Sequence, residues 1–192
     1  LLTRRAMELL CAADVVVIGR LAPRAIVGQL PLSVRVVDVG KQPGQHALPQ
    51  DQINHLLVAE AQAGNAVARL KGGDPYVLGR GGEERLACEA AGIQVEVVPG
   101  VTSAIAVPAA AGIPVTHRGV ARAFSVVSAH EELPALPVRG DHTLVLLMGI
   151  STLAQNVSAL IAAGHDLGCP VAIIERGCTP QQRVTTGTLG TI

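Results

Sequence analysis

Aromatic residues are almost missing from this chain of 192 residues, which has no Trp and only Tyr76 and Phe124 to represent Tyr and Phe. That excludes the stacking platform on which proteins lay single-stranded nucleic acid. Lysine is nearly as scarce, confined to Lys41 and Lys71 in a chain that otherwise favours arginine. A surplus of one charge is absent too. The 15 basic and 15 acidic residues cancel, so bulk charge draws the chain to neither nucleic acid nor an anionic membrane surface. No apolar run approaches the roughly 18 residues of a membrane span, and the longest, Val101 to Val115, is broken by Pro108, Gly112 and Pro114. The opening Leu-Leu-Thr-Arg-Arg lacks the charged-then-apolar order of a secretory signal. Four cysteines (Cys11, Cys88, Cys169, Cys178) show neither CxxC spacing nor a neighbouring histidine cluster. They read as reduced thiols in a cytoplasmic protein, with no metal site. The absence of an initial Met, and a last residue that falls in mid-pattern, predict truncation at both ends.

What is present is alternation. Leu1, Leu2, Ala6, Leu9 and Leu10 recur at helical spacing, and Asp14 introduces a continuous apolar strand, Val15 to Ile18. A short helix over Pro23 to Gln29 and a strand over Val34 to Val39 follow. A helix over Pro49 to Ala63, stopped by Gly64, leads to a third strand, Val67 to Leu70. Another helix spans Glu83 to Ala91, and Val95 to Val98 reads as a fourth strand ending at Pro99-Gly100. This order predicts an α/β fold with a mostly parallel sheet and helices on its faces. After Gly112-Ile-Pro the texture changes, with strands expected at Ala123 to Ser128, Thr143 to Met148, Val171 to Ile174 and Gln182 to Thr186, and a helix at Val157 to Ala163. The change places a boundary between an N-terminal lobe, 1–114, and a C-terminal lobe, 115–192. A chain of this length buries about 70% of its unfolded surface, enough to fold without disulfide or metal.

The segment Arg69 to Glu84 (Arg-Leu-Lys-Gly-Gly-Asp-Pro-Tyr-Val-Leu-Gly-Arg-Gly-Gly-Glu-Glu) packs five glycines, three cations and three carboxylates into sixteen residues. Glycines let bare backbone approach a ligand, and the carboxyl end of a strand is where α/β sheets bind ligands. The pattern is neither GxGxxG nor a Walker loop, so no nucleotide-phosphate motif supports it. On composition alone a tight turn in a glycine-rich protein remains an alternative.

Several blocks together resemble the uroporphyrinogen-III C-methyltransferases of the tetrapyrrole methylase family. They are Val-Gly-Lys-Gln-Pro-Gly (39–44), Leu-Lys-Gly-Gly-Asp-Pro through Glu-Glu (70–84), Val-Val-Pro-Gly-Val-Thr-Ser-Ala (97–104), Ala-Gly-Ile-Pro-Val-Thr-His-Arg (111–118), Leu-Met-Gly (147–149) and the region 170–187. They keep family order and spacing across nearly the whole chain. The resemblance implies a two-lobed α/β fold with S-adenosyl-L-methionine in the cleft between lobes, usually in a homodimer, sometimes fused to a dehydrogenase/ferrochelatase domain as in sirohaem synthases. By motif position it implies that Gly72, Gly73, Asp74 and Val77 hold the methionine part of the cofactor, while Thr102, Ser103, Met148 and Gly177 complete the adenosine side. For Val77 and Met148 a place in the core is an equal alternative. The implied substrate, uroporphyrinogen III, carries eight carboxylates, for which Arg80 and Arg118 offer bidentate guanidinium forks, with Glu83 orienting Arg80 or accepting a pyrrole N–H. His117 reads equally as a structural histidine, and Arg20, Arg24 and Arg122 as solvated surface charges. Lys41 takes the family's proton-donor role. No nucleic acid or membrane partner is implied.

One position departs from the family pattern. Where the family has an aspartate assigned as proton acceptor, before an Arg-Leu or similar pair, this chain has Gly19. The Gly-Pro-Gly-Asp-Pro loop that precedes Leu-Leu-Thr in the family is not in the sequence either. The rival expectations are a same-fold methyltransferase for a later corrinoid or for RNA, and a non-catalytic tetrapyrrole- or cofactor-binding module. Because methyl transfer rests mainly on alignment, the expectation is an enzyme slowed by loss of general-base help, which is typically worth about 10²–10⁴-fold. Gly19→Asp is expected to raise turnover at saturating substrate, and an unchanged kcat would overturn that account.

Overall fold

In a computed structural model, which describes residues 1–40, 48–133 and 135–192, the run Val15–Ile18 forms strand β1 at the centre of a three-stranded sheet. Its four side chains are 1% exposed or less, as β-branched residues with no polar face require. Each such burial contributes roughly 1.5–3 kcal/mol. Strands β2 (Arg35–Asp38) and β3 (Val67–Leu70) flank it, both parallel, with Val15 opposite Arg35 and Val67 and Ile18 opposite Asp38 and Leu70. Asp14, at the entry of β1, accepts the Ala66 N–H on its carboxylate at 2.8 Å and the Arg35 N–H on its carbonyl at 2.9 Å. One residue thus sets the register of both neighbours.

Helices cover both faces of this sheet. Helix α1 (Arg4–Ala12) begins at Thr3, whose hydroxyl accepts the Ala6 N–H, and sends Leu10 into a cluster with Val16, Ile18, Ile26, Val34 and Leu70. On the other face, α2 (Gln50–Gln62) and α3 (Gly81–Ala90) contribute Ile53, Leu57 and Cys88 to a cluster with Val15, Val17 and Val39. Alternate residues of β1 therefore feed two different cores, the signature of a strand buried on both sides.

The described residues group into two compact units, Leu1–Thr102 and Ser103–Ile192. The texture change after Gly112 falls inside the second. That unit holds α4 (Ser103–Ala110), the parallel pair β4 (Ala123–Ser128) and β5 (His142–Leu147), α5 (Leu153–Ala162), and the antiparallel pair β6 (Pro170–Glu175) and β7 (Arg183–Thr188). Buried Asn156 donates to the Ala129 carbonyl at 3.1 Å and to the Thr152 hydroxyl at 3.0 Å, fastening α5 to the end of β4.

Two elements differ from expectation. Val95 to Val98 is not a strand. Ile93 and Val95 pack on the core, and Glu96 takes both Nε and Nη2 of Arg5 at 2.9 and 2.8 Å. The segment and β3 both line a cavity of about 550 Å³, and no backbone ladder joins them. Conversely, the broken apolar run after Val101 contains α4, with Pro108 inside it. Its alanines favour helix enough to carry a proline that lacks an N–H donor.

Ile18→Ala removes a buried branched side chain at a site sealed on both faces. It is expected to lower the free energy of unfolding by about 2–5 kcal/mol in denaturant titration. Leu32→Ala, at a side chain fully open to water, is expected to stay within about 0.5 kcal/mol of the parent.

Candidate functional site

At the carboxyl end of β3 the chain leaves the sheet through Lys71, Gly72, Gly73 and Asp74, and re-enters regular structure at α3. Gly72 lies so close to its neighbour that a Cβ would stand 2.5 Å from the Leu21 carbonyl oxygen. Gly73 has φ +73°, and its carbonyl oxygen would lie 2.2 Å from a Cβ on Gly100. Asp74 locks this contact. One carboxylate oxygen accepts the Gly100 N–H at 2.9 Å and the other the Tyr76 N–H at 2.8 Å. The Gly-Gly-Asp-Pro block and the Val-Pro-Gly-Val-Thr block, distant in sequence, are thereby one surface of bare backbone that ends at Thr102.

Beneath the loop lies a charged cluster that sequence reasoning did not single out. Glu84, 5% exposed, accepts from Arg69 Nε at 3.1 Å, Lys71 Nζ at 2.9 Å and Gln50 Nε2 at 3.2 Å. Arg69 also donates through Nη1 to the carbonyls of Leu70 (3.0 Å) and Val17 (3.3 Å). Burial pushes the Lys71 ammonium below the usual lysine range, and the Glu84 hydrogen bond works against that fall, while the Arg69 and Arg80 charges add to it. The signal was in the sequence: Arg69, Lys71 and Glu84 bracket the glycine-rich block. Their mutual contact depends on tertiary geometry that spacing does not reveal.

Arg80 and Glu83 are brought together as expected, through Nε and Nη2 at 2.8 and 2.7 Å on an exposed surface. Each favours the charged form of the other through that hydrogen bond. Arg80 takes a left-handed conformation (φ 57°) as the residue before α3, and Leu78 nearby is also left-handed. Val77 is half-buried and its N–H donates to the Asp74 carbonyl. Gly19 is beside Arg69: a Cβ there would meet Nη1 and Nη2 at 3.2 and 3.3 Å. Lys41 lies outside the described residues.

In the second unit Ser103 begins α4, and Gly177 packs so tightly on that helix that a Cβ would stand 2.4 Å from Val107. The Cys178 thiol and Gln182 amide donate to the Ala106 and Ala110 carbonyls. Met148 is exposed with φ 63°, and Gly149 beside it abuts Ala129. Arg118 and His117 are exposed in the turn between α4 and β4, where the His117 ring contacts the Arg118 carbonyl. Among the described residues no group of His, Cys, Asp or Glu is arranged for a metal ion, and no helix is long and apolar enough to cross a membrane.

Residues 1–192 match the family described as Tetrapyrrole (Corrin/Porphyrin) Methylases. An S-adenosyl-L-methionine-dependent uroporphyrinogen III methyltransferase of Methanosarcina barkeri is 46% identical over 201 residues, covering 100% of this chain and 78% of that protein. A siroheme synthase of Gluconobacter oxydans is 45% identical and also covers the whole chain, which spans only 42% of that longer protein. Among solved structures, the uroporphyrin-III C-methyl transferase of Thermus thermophilus complexed with S-adenyl homocysteine superposes with a TM-score of 0.81 at 38% identity, over 98% of this chain and 82% of that one.

Close contact at Gly100 and open space at Gly82 predict opposite fates for the two glycines. Gly100→Ala drives a methyl into the Gly73 carbonyl and is expected to destabilise by about 1–3 kcal/mol. Gly82→Ala, within α3 and with nothing in its way, is expected to stabilise by about 0.5–1 kcal/mol. Denaturant unfolding of both variants measures the difference.

Proposed function

The chain belongs to the tetrapyrrole (corrin/porphyrin) methylase family, and on that footing we propose that it is an S-adenosyl-L-methionine-dependent C-methyltransferase acting on uroporphyrinogen III. It methylates two pyrrole carbons and yields precorrin-2, the branch point toward sirohaem and cobalamin. The observation that supports this most directly is the bare-backbone surface built by Gly72, Gly73 and Gly100 and fastened by Asp74, in a chain that is 46% identical to a uroporphyrinogen III methyltransferase along its entire length.

The residues present fit the cofactor. Gly72 and Gly73 are exposed and carry no side chain, which leaves their backbone amides and carbonyls accessible to an amino-acid group. When bound, S-adenosyl-L-methionine supplies an electrophilic methyl on a sulfonium. Gly72, Gly73, Asp74 and Val77 hold its methionine part in this proposal, with Asp74 acting through the loop it ties rather than through a vacant oxygen. Thr102, Ser103, Met148 and Gly177 take the adenosine side.

The nucleophilic carbon belongs to the electron-rich pyrrole, so the protein's share of the chemistry is alignment and exclusion of water. Arg80 and Arg118 receive substrate carboxylates. Arg80 is already oriented by Glu83 through two of its three nitrogens, which leaves Nη1 for the substrate. Lys41 serves as proton donor. A homodimer and a reducing cytoplasmic setting complete the proposal, the latter in keeping with four free cysteines. Some family members carry this methyltransferase within a longer sirohaem synthase, and a fused dehydrogenase/ferrochelatase domain is compatible with it.

Anaerobic incubation with uroporphyrinogen III and isotopically labelled S-adenosyl-L-methionine is expected to give a doubly methylated tetrapyrrole by mass spectrometry. Cofactor binding with unmethylated substrate would instead support a non-catalytic binding module.

A further inference from the structure

The charge count under the glycine-rich loop does not close. Glu84 is one carboxylate facing two cations, and the three side chains are only 6% (Glu84), 12% (Lys71) and 16% (Arg69) exposed. The neighbouring acids are committed elsewhere: Glu83 to Arg80, Asp38 to Arg24 and the Gly40 N–H, Asp74 to two backbone N–H groups. The undescribed segment 41–47 contains no acidic residue. Among the described residues the Arg69–Lys71–Glu84 cluster thus carries one net positive charge, sparsely solvated, at the carboxyl end of the parallel sheet. Two partly buried cations that share one carboxylate are incompletely neutralised, which is costly, and the cost falls when an anion arrives.

The hydrogen bonds say where an anion fits. Arg69 Nε is used by Glu84 and Nη1 by two carbonyls, whereas Nη2 has no hydrogen bond among the described residues. Nη2 borders Gly19, which is half-buried and has no side chain to cover it. Resting on the methyltransferase function proposed above, we infer that Arg69, through Nη2 beside Gly19, is a subsite for one side-chain carboxylate of the tetrapyrrole. Glu84 and Lys71 act as positioning residues, Glu84 fixing the guanidinium and Lys71 adding to the local positive charge. Position 19 then sets whether the subsite is open. A carboxylate there would pair with the same guanidinium and take the substrate's place.

Equilibrium binding of uroporphyrin III, with S-adenosylhomocysteine as a separate probe, tests this on the parent, Gly19→Asp, Arg69→Gln and the double variant. A lost charged hydrogen bond is expected to raise the uroporphyrin III Kd about tenfold or more in each single variant, with S-adenosylhomocysteine affinity unchanged in Gly19→Asp, which leaves the Arg69, Lys71 and Glu84 contacts under the loop in place. Because both substitutions act on one contact, the double variant is expected to bind no more weakly than the weaker single one. Gly19→Asp retains Arg69, Lys71 and Glu84, so it tests the inference even if Arg69→Gln fails to fold. Parent-like uroporphyrin III affinity in folded Gly19→Asp would overturn the subsite. So would a matching loss of S-adenosylhomocysteine affinity, which would assign the site to the cofactor's carboxylate. A parent protein that binds neither uroporphyrin III nor, under anaerobic conditions, uroporphyrinogen III would sink the methyltransferase proposal itself. Binding by the parent that neither variant alters would sink only the subsite. The readout is affinity, so it is separate from any rise in kcat that a carboxylate at position 19 brings.

Discussion

The buried carboxylate of Glu84 is the contact on which the glycine-rich loop of the first unit depends. It gathers Arg69 and Lys71 from the end of β3 and Gln50 from the start of α2, and it sits on α3 itself. The glycine-rich loop leaves β3 at Lys71 and rejoins the fold at α3, so both its ends are pinned to the same carboxylate. Between those pins the loop needs few side chains of its own. Removing one partner of such a buried group typically costs about 3–5 kcal/mol, because the remaining charges are left unpaired in a poor solvent.

Much of the fold was legible in the sequence, for a physical reason. Val15–Ile18 has no polar face to offer, Asp14 and Gly64 punctuate the pattern, and the three strands of the first unit follow. All three pair in parallel, as the strand–helix alternation predicts. Helix α4 was hidden because two prolines and a glycine in an apolar run look like interruption, whereas an alanine-rich helix tolerates Pro108 inside it. Val95 to Val98 has strand composition, but a strand exists only with a partner, and no sequence period reports whether a partner is in place. The glycine-rich block was legible as chemistry. The Arg69–Glu84–Lys71 cluster was not, since its members are joined by folding rather than by spacing.

The motif residues divide between the two units. Gly72 to Glu83 and Thr102 lie in the first, and Ser103, Arg118, Met148 and Gly177 in the second. In each unit the same device recurs: a glycine without room for a Cβ, set against a backbone or helix it must touch. Gly100 meets the Gly73 carbonyl, and Gly177 meets Val107. Such contacts position loops by exclusion of atoms, and they are sensitive to a single added methyl in a way that ion pairs at the surface are not.

Leu78, Arg80, Met148, Arg176 and Cys178 all carry side chains at left-handed backbone angles. Each such residue costs of order 1–3 kcal/mol, and glycine would relieve that strain. All five fall within or directly beside the motif segments. A chain held only slightly above its stability threshold has reason to shed such costs wherever side chains are dispensable. Glycine replacements chosen to raise heat resistance would therefore be drawn to the places where this chain trades robustness for the shape of its loops.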